Sequence, residues 1–130
     1  QTNYIVQKNW GLVEDINLPY IFSKMDCGIV SLSRFTKTNN IPGKFVSYTQ
    51  HSLPIICFTN TKSSLSKLIL KYKCGLIIDL NHSSKKNIDK FLNFVRDFKK
   101  NKVVYSKNSK RLFIENFNTK FIAEQILKVR

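Results

Sequence analysis

Pro42-Gly43-Lys44 is the stretch of this chain whose residue types and order point most directly to chemistry. It follows a polar stretch, Ser33 to Asn40, with no apolar period, and it leads into a run where Phe45, Val46 and Thr49 fall on one helical face. Proline fits the first turn of a helix. The start of a helix presents unpaired N–H groups and a partial positive charge, which suit an anion. Gly43 would let a ligand come close to the backbone, and Lys44 adds a full charge. The same residues also read as an ordinary capped helix, with Gly43 incidental and Lys44 solvated. Other reactive side chains are dispersed. His51 and His82 stand alone in turn-like contexts. Cys27, Cys57 and Cys74 form neither a Cys-x-x-Cys pair nor a Cys/His metal spacing, so they read as small buried hydrophobes in a reducing compartment. Asp26 and Asp79 are the acidic residues nearest strands, and both read as structural.

The elements that must hold these residues alternate in type. Asn3-Tyr4-Ile5-Val6 is a short strand candidate, followed by a loop at Trp10 to Val13. A helix is expected from Asp15 to Met25, capped by Asp15, with Ile16, Tyr20 and Ile21 on one face. Apolar strands are expected at Cys27–Leu32, Pro54–Phe58 and Gly75–Leu80. Between the last two, Thr61 or Ser63 caps a helix with the stripe Leu65, Leu68, Ile69 and Tyr72, and Cys74-Gly75 ends it. From Ser83 the pattern is helical. Ser84 is the expected cap, Ile88, Phe91, Leu92, Val95 and Phe98 the core face, and Asn101 the break. Two further helices are expected, Val103–Glu115 and Thr119–Val129, the last facing the core through Phe121, Ile122, Ala123, Ile126 and Leu127.

Strands that are apolar on both faces and alternate with helices call for a parallel sheet covered on both sides. The expected fold is therefore α/β, a Rossmann-like three-layer α/β/α arrangement with about four parallel strands and a helical C-terminal tail. Ligands of such open sheets sit outside the carboxyl ends of the strands. That singles out three loops: Lys8–Val13, Ser33–Gly43 and Thr59–Ser63. The middle loop spans about ten residues where ~2–6 is usual, and long loops are often functional.

Composition narrows the class. In 130 residues, 22 Lys and Arg oppose 8 Asp and Glu, a net charge of +14, yet 42% of residues are hydrophobic, enough for a core. A single domain, 1–130, is expected. No apolar run approaches the ~18–20 residues of a spanning helix, and no signal peptide is apparent. A start at Gln1 rather than Met leads us to expect a piece of something longer. The charge alone leaves three partners open: nucleic acid, an anionic membrane face, or a phosphorylated small molecule. The abundance of Lys, Asn and Ile also fits an AT-rich coding bias.

Three blocks taken together resemble a known family. They are Asp26-Cys27-Gly28-Ile29-Val30-Ser31-Leu32, then Asn40-Ile41-Pro42-Gly43-Lys44-Phe45-Val46-Ser47-Tyr48, then Ser52-Leu53-Pro54-Ile55-Ile56. Their order and spacing are similar to the carboxy-terminal half of GT-B fold, family 4-type glycosyltransferases, with Cys74-Gly75-Leu76-Ile77-Ile78-Asp79 in the later Gly-Leu-Leu-Val slot. The form Ile-Pro-Gly-Lys-Phe-x-Ser-Tyr-x-Gln looks closest to bacterial enzymes that build O-antigen, lipopolysaccharide or capsule sugars on a lipid carrier.

The resemblance implies a donor-binding domain from a two-domain enzyme, inactive alone, that binds a nucleotide-sugar, expected to be a UDP-sugar, without metal or other cofactor. The acceptor, a lipid-linked or other saccharide, and the general base would belong to the other domain. It places Asn39, Asn40, Ile41 and Gly43 where backbone N–H groups meet the donor sugar and phosphate, with Lys44 opening the helix. Ser47 and Asn39 replace the two glutamates of the glutamate–seven residues–glutamate motif, so the usual carboxylate roles do not carry over. Trp10 to Val13 fall where the base lodges, and Trp10 either stacks on it or plugs the core edge. A cytoplasmic site at the inner face of the inner membrane follows, where the positive charge favours peripheral contact with anionic lipid. Two other classes remain beside this one: a basic nucleic-acid-binding module, resting on the charge alone, and a doubly wound binding domain without catalysis.

Overall fold

Runs of apolar residues without polar alternation need burial on both faces, and three of them become strands: β1 (Gly28–Ser31), β2 (Ile55–Thr59) and β3 (Gly75–Asp79). The computed structural model describes residues 14–33 and 41–128. Within them the sheet is parallel, in the order β1-β2-β3, with Val30 opposite Cys57 and Cys57 opposite Ile77. The described residues hold three strands, against the four expected. The strand expected at Asn3–Val6 lies outside them, as does the loop at Trp10–Val13.

Five α-helices accompany the sheet: α1 (Leu18–Phe22), α2 (Gly43–Gln50), α3 (Ser64–Tyr72), α4 (Ser84–Asn116) and α5 (Thr119–Lys128). On one face, Phe45 of α2 and Leu65, Ile69 and Tyr72 of α3 pack on Val30, Ile55, Cys57 and Ile77. On the other face the first half of α4 lays Phe94 against Leu76 and Ile78, with Ile56, Phe58, Phe98 and Tyr105 around them. Each such buried side chain contributes about 1.5–3 kcal/mol of transfer free energy. The fold is thus α/β with helices on both faces.

Several local expectations need correction. The first helix is shorter than Asp15–Met25. A 3-10 turn, Asp15–Asn17, precedes α1, and Pro19 sits in the first turn, where its missing N–H is harmless. Of the expected face only Ile21 is buried, and Ile16 and Tyr20 are exposed. Pro42 is the N-cap of α2 rather than its first helical residue. Ser63 caps α3, accepting the N–H of Ser66 at 3.2 Å. Ser83, not Ser84, caps α4.

The end of α3 differs as well. Lys73 takes the left-handed conformation there (φ 53°, ψ 49°), not Gly75. Gly75 serves a different need: a Cβ at this position would lie 1.9 Å from the carbonyl oxygen of Ile55, its register partner on β2. The strands approach too closely there for any side chain.

The expected break at Asn101 is present: its backbone leaves the helical region (φ −125°, ψ 28°), and a second helical segment follows directly, the two together making up α4. The Asn101 amide donates to the backbone and carboxylate oxygens of Asp97, at 3.3 and 3.0 Å, and the Tyr105 hydroxyl donates to the same carboxylate at 2.5 Å. Past the kink the helix runs beneath the amino ends of all three strands. Lys102 pairs with Asp26 just before β1, Ser109 Oγ donates to Leu53 O at 2.6 Å just before β2, and Asn108 Nδ2 donates to Lys73 O at 3.1 Å just before β3. Leu112 then enters the first core, fully buried. In the first half the expected stripe is displaced: Phe94 is buried, whereas Ile88, Phe91 and Leu92 are exposed and Val95 and Phe98 half-buried. Ala123, Ile126 and Leu127 of α5 are exposed rather than core-facing.

Candidate functional site

Parallel strands with helical crossovers bring loops and helix starts together at the carboxyl end of the sheet. Here that end is formed by Ser31 to Ser33 after β1, Thr59 to Ser63 after β2, and Asp79 to Ser83 after β3, with α2 starting beside them. The helix starts differ. Ser63 and Ser83 cap α3 and α4 with their hydroxyls. The N-cap of α2, Pro42, has no side-chain oxygen to offer, and its carbonyl accepts the Phe45 N–H at 3.1 Å. The N-cap residue therefore offers the N–H groups of Gly43 and Lys44 no side-chain acceptor. Gly43 is exposed, and a Cβ there would meet nothing within 4 Å. Lys44 beside it is exposed too. An open, glycine-bearing, uncapped helix start next to a lysine is an arrangement that can hold an anion.

Of the residues singled out from the sequence, Ile41, Gly43, Lys44 and Ser47 come together on α2 and the residue leading into it. The Ile41 side chain is half-buried and packs against the first core, so only its backbone is available to a ligand. Ser47 lies one turn after Gly43 on the face opposite the buried Phe45. Its carbonyl accepts His51 Nδ1 at 2.7 Å, which ties His51 to the far end of the helix. Trp10, Asn39 and Asn40 lie outside the described residues.

A second polar group lies at the same end of the sheet, where the Thr59–Ser63 loop singled out from the sequence meets Asp79. Asp79, 4% exposed, closes β3 and accepts the N–H of Asn81 at 2.8 Å and of Thr61 at 3.1 Å. His82 Nε2 lies 3.7 Å from the carboxylate. Burial alone would raise the Asp79 pKa, but these two N–H groups, with His82 behind them, outweigh it and hold it below the ordinary carboxylate value. Asp79 thus ties the β2–α3 loop to the β3–α4 loop. Asn60 anchors the former: its carbonyl accepts Ser66 Oγ at 2.5 Å and its side chain accepts the Lys62 N–H at 2.9 Å. Thr59 Oγ1, His82 Nδ1 and Asn87 Oδ1 are buried polar atoms without a hydrogen-bond partner. Thr59 is fully buried and shares the parity of Ile55 and Cys57, so it belongs to the face covered by α2 and α3. The visible signal was the density of amide and hydroxyl residues in Thr59-Asn60-Thr61-Lys62-Ser63 and Asn81-His82-Ser83 directly after apolar strands.

The opposite end of the sheet is a different environment. A cavity of about 340 Å³ lies there between α1, His51 and α4, and its lining Asp26 and Lys102 neutralise one another. Burial pushes the thiols of Cys57 and Cys74 up to about 12. Burial, then the neighbouring Asp26 carboxylate, pushes Cys27 up to about 11. All three are free thiols without nucleophilic character at neutral pH. Among the described residues no group of three or more His, Cys, Asp or Glu is placed to hold a metal ion. No helix among them is long and apolar enough to cross a membrane. No family model matches the chain, and no curated protein or solved structure is significantly similar to it.

Proposed function

We propose that the chain is the donor-binding domain of a glycosyltransferase, holding a nucleotide-sugar, best read as a UDP-sugar, at the carboxyl end of its sheet. One observation carries this reading: the uncapped start of α2, with Gly43 open to approach and Lys44 beside it, lies where parallel sheets bind ligands. The family resemblance of the strand–loop–helix block supplies the class of ligand. In the transfer, the bond between the sugar and the diphosphate loosens as negative charge grows on the leaving diphosphate. The N–H groups of Gly43 and Lys44 and the Lys44 ammonium would stabilise that charge by being in place beforehand. The acceptor hydroxyl forms the new glycosidic bond and gives its proton to a base outside this chain. The acceptor is then a lipid-linked or other saccharide of surface-polysaccharide assembly, bound by a second domain.

Thermal shift with UDP and UDP-sugars, set against short RNA, tests this. Stabilisation by the nucleotide that survives moderate salt is expected. A shift with RNA alone, vanishing steeply with salt, would replace this reading by nucleic-acid binding.

A further inference from the structure

Half of the chain's excess charge sits on α4. Its 33 residues carry ten Lys and Arg against three Asp and Glu, a net +7 of the total +14. Its acids are Asp89, Asp97, which accepts from Asn101 and Tyr105, and Glu115, 3.5 Å from Arg111; beside the kink Lys102 pairs with Asp26, which leaves Lys99, Lys100 and Lys107 in excess over Asp97 there. A helix this charged is expected to be polar on its solvent side. It is not. Val103 is 65% exposed, Val104 54% and Leu92 46%. The two valines follow the kink at Asn101 directly, and exposed Lys99, Lys100 and Lys107 flank them in sequence. β-Branched residues gain nothing from a solvated helix position, since their helix propensity is below that of Lys or Glu.

Aliphatic side chains surrounded by cations on an exposed helix fit one kind of partner, a bilayer surface with anionic headgroups. Lysines are drawn to the headgroups, and the aliphatic groups enter the boundary with the acyl chains. A nucleic acid would engage the lysines but leave Leu92, Val103 and Val104 idle, because bases stack on aromatic rings. A second copy would bring the same lysines, Lys99, Lys100 and Lys107, against these, which is repulsive. We propose that the elbow of α4, centred on Val103 and Val104 with Lys99, Lys100 and Lys107, docks on an anionic lipid surface. This surface is distinct from the carboxyl-end site and does not depend on what that site binds.

The test is co-sedimentation of the whole chain with vesicles of phosphatidylcholine alone or of an equimolar mixture with phosphatidylglycerol. The chain should pellet with the mixed vesicles only, and less so at high salt. Val103→Ser with Val104→Ser should weaken partitioning about fivefold or more, and Lys99→Glu with Lys100→Glu by about fivefold for each residue changed. All four positions are exposed, so both variants should melt as the parent does. Three results would overturn the proposal: no preference for the anionic vesicles, no pelleting at all, or full binding by the valine variant, which would mark simple adsorption to any polyanion.

Discussion

Gly43→Val separates a ligand-facing position from a structural one. Nothing lies within 4 Å of where its Cβ would be, and the residue does not have the positive φ that would strain a branched side chain. The folding free energy should therefore change by less than about 0.5 kcal/mol, as at other open surface positions. For a domain of this size that is a shift of about 2–3 °C at most in Tm. Binding should respond differently. The isopropyl group would fill the space through which an anion reaches the N–H groups of Gly43 and Lys44. Losing one hydrogen bond to a charged group costs about 1.5–3 kcal/mol, which is roughly a ten- to 150-fold rise in Kd. Calorimetric titration of a UDP-sugar into both proteins, with melting curves run in parallel, gives both numbers. An unchanged Kd in a variant that melts normally refutes the placement of the anion at α2. A fall in Tm beyond about 5 °C refutes the premise that the position faces open space.

Two further outcomes are expected from substitution and acid. Gly75→Ala would drive a methyl into the Ile55 backbone and should cost about 3 kcal/mol or more, whereas Lys73→Gly relieves a left-handed residue and should add about 0.5–1 kcal/mol; urea unfolding of the pair reads both signs. Asp79 has a folded pKa below its unfolded value of about 3.9, so its contribution is complete above that value and disappears as pH falls through the folded pKa. Asp79→Asn should destabilise the domain at pH 7 by about 1–3 kcal/mol and flatten the acid side of the stability–pH curve. A curve of unaltered slope would show that another carboxylate governs acid unfolding.

Legibility in the sequence followed how local each cause was. The stripe Leu65, Ile69 and Tyr72 and the Ser63 cap were readable because one turn of helix contains everything that decides them. The same holds for the start of α2, where proline, glycine and lysine sit in consecutive positions. Asp79 reads from the sequence only as a structural acid near a strand. Its role depends on the Thr61 N–H, 18 residues away in sequence, which only strand pairing brings within reach. The buried face of α4 was misread for a related reason. Its first half packs on one side of the sheet through Phe94, and its second half reaches the other through Leu112. No single stripe can describe a helix that serves two faces across a kink.

The sequence by itself determined that apolar runs would become parallel strands alternating with helices, that α2 would begin at Pro42-Gly43-Lys44, and that Cys57 and Cys74 would be buried thiols, whereas Cys27 is half-buried. These follow from periodicity, from fixed backbone preferences and from the low cost of burying small apolar groups. Only the tertiary structure decided which residues bear the close approaches. Gly75 is needed where β3 meets Ile55, leaving Lys73 to turn the chain, because strand spacing admits no Cβ there. It also decided the course of the second helical segment of α4 after the break at Asn101. The bend lets one helix cover Leu76 and Ile78 on one face and then pass beneath the amino ends of the strands, which leaves Val103 and Val104 in solvent among lysines.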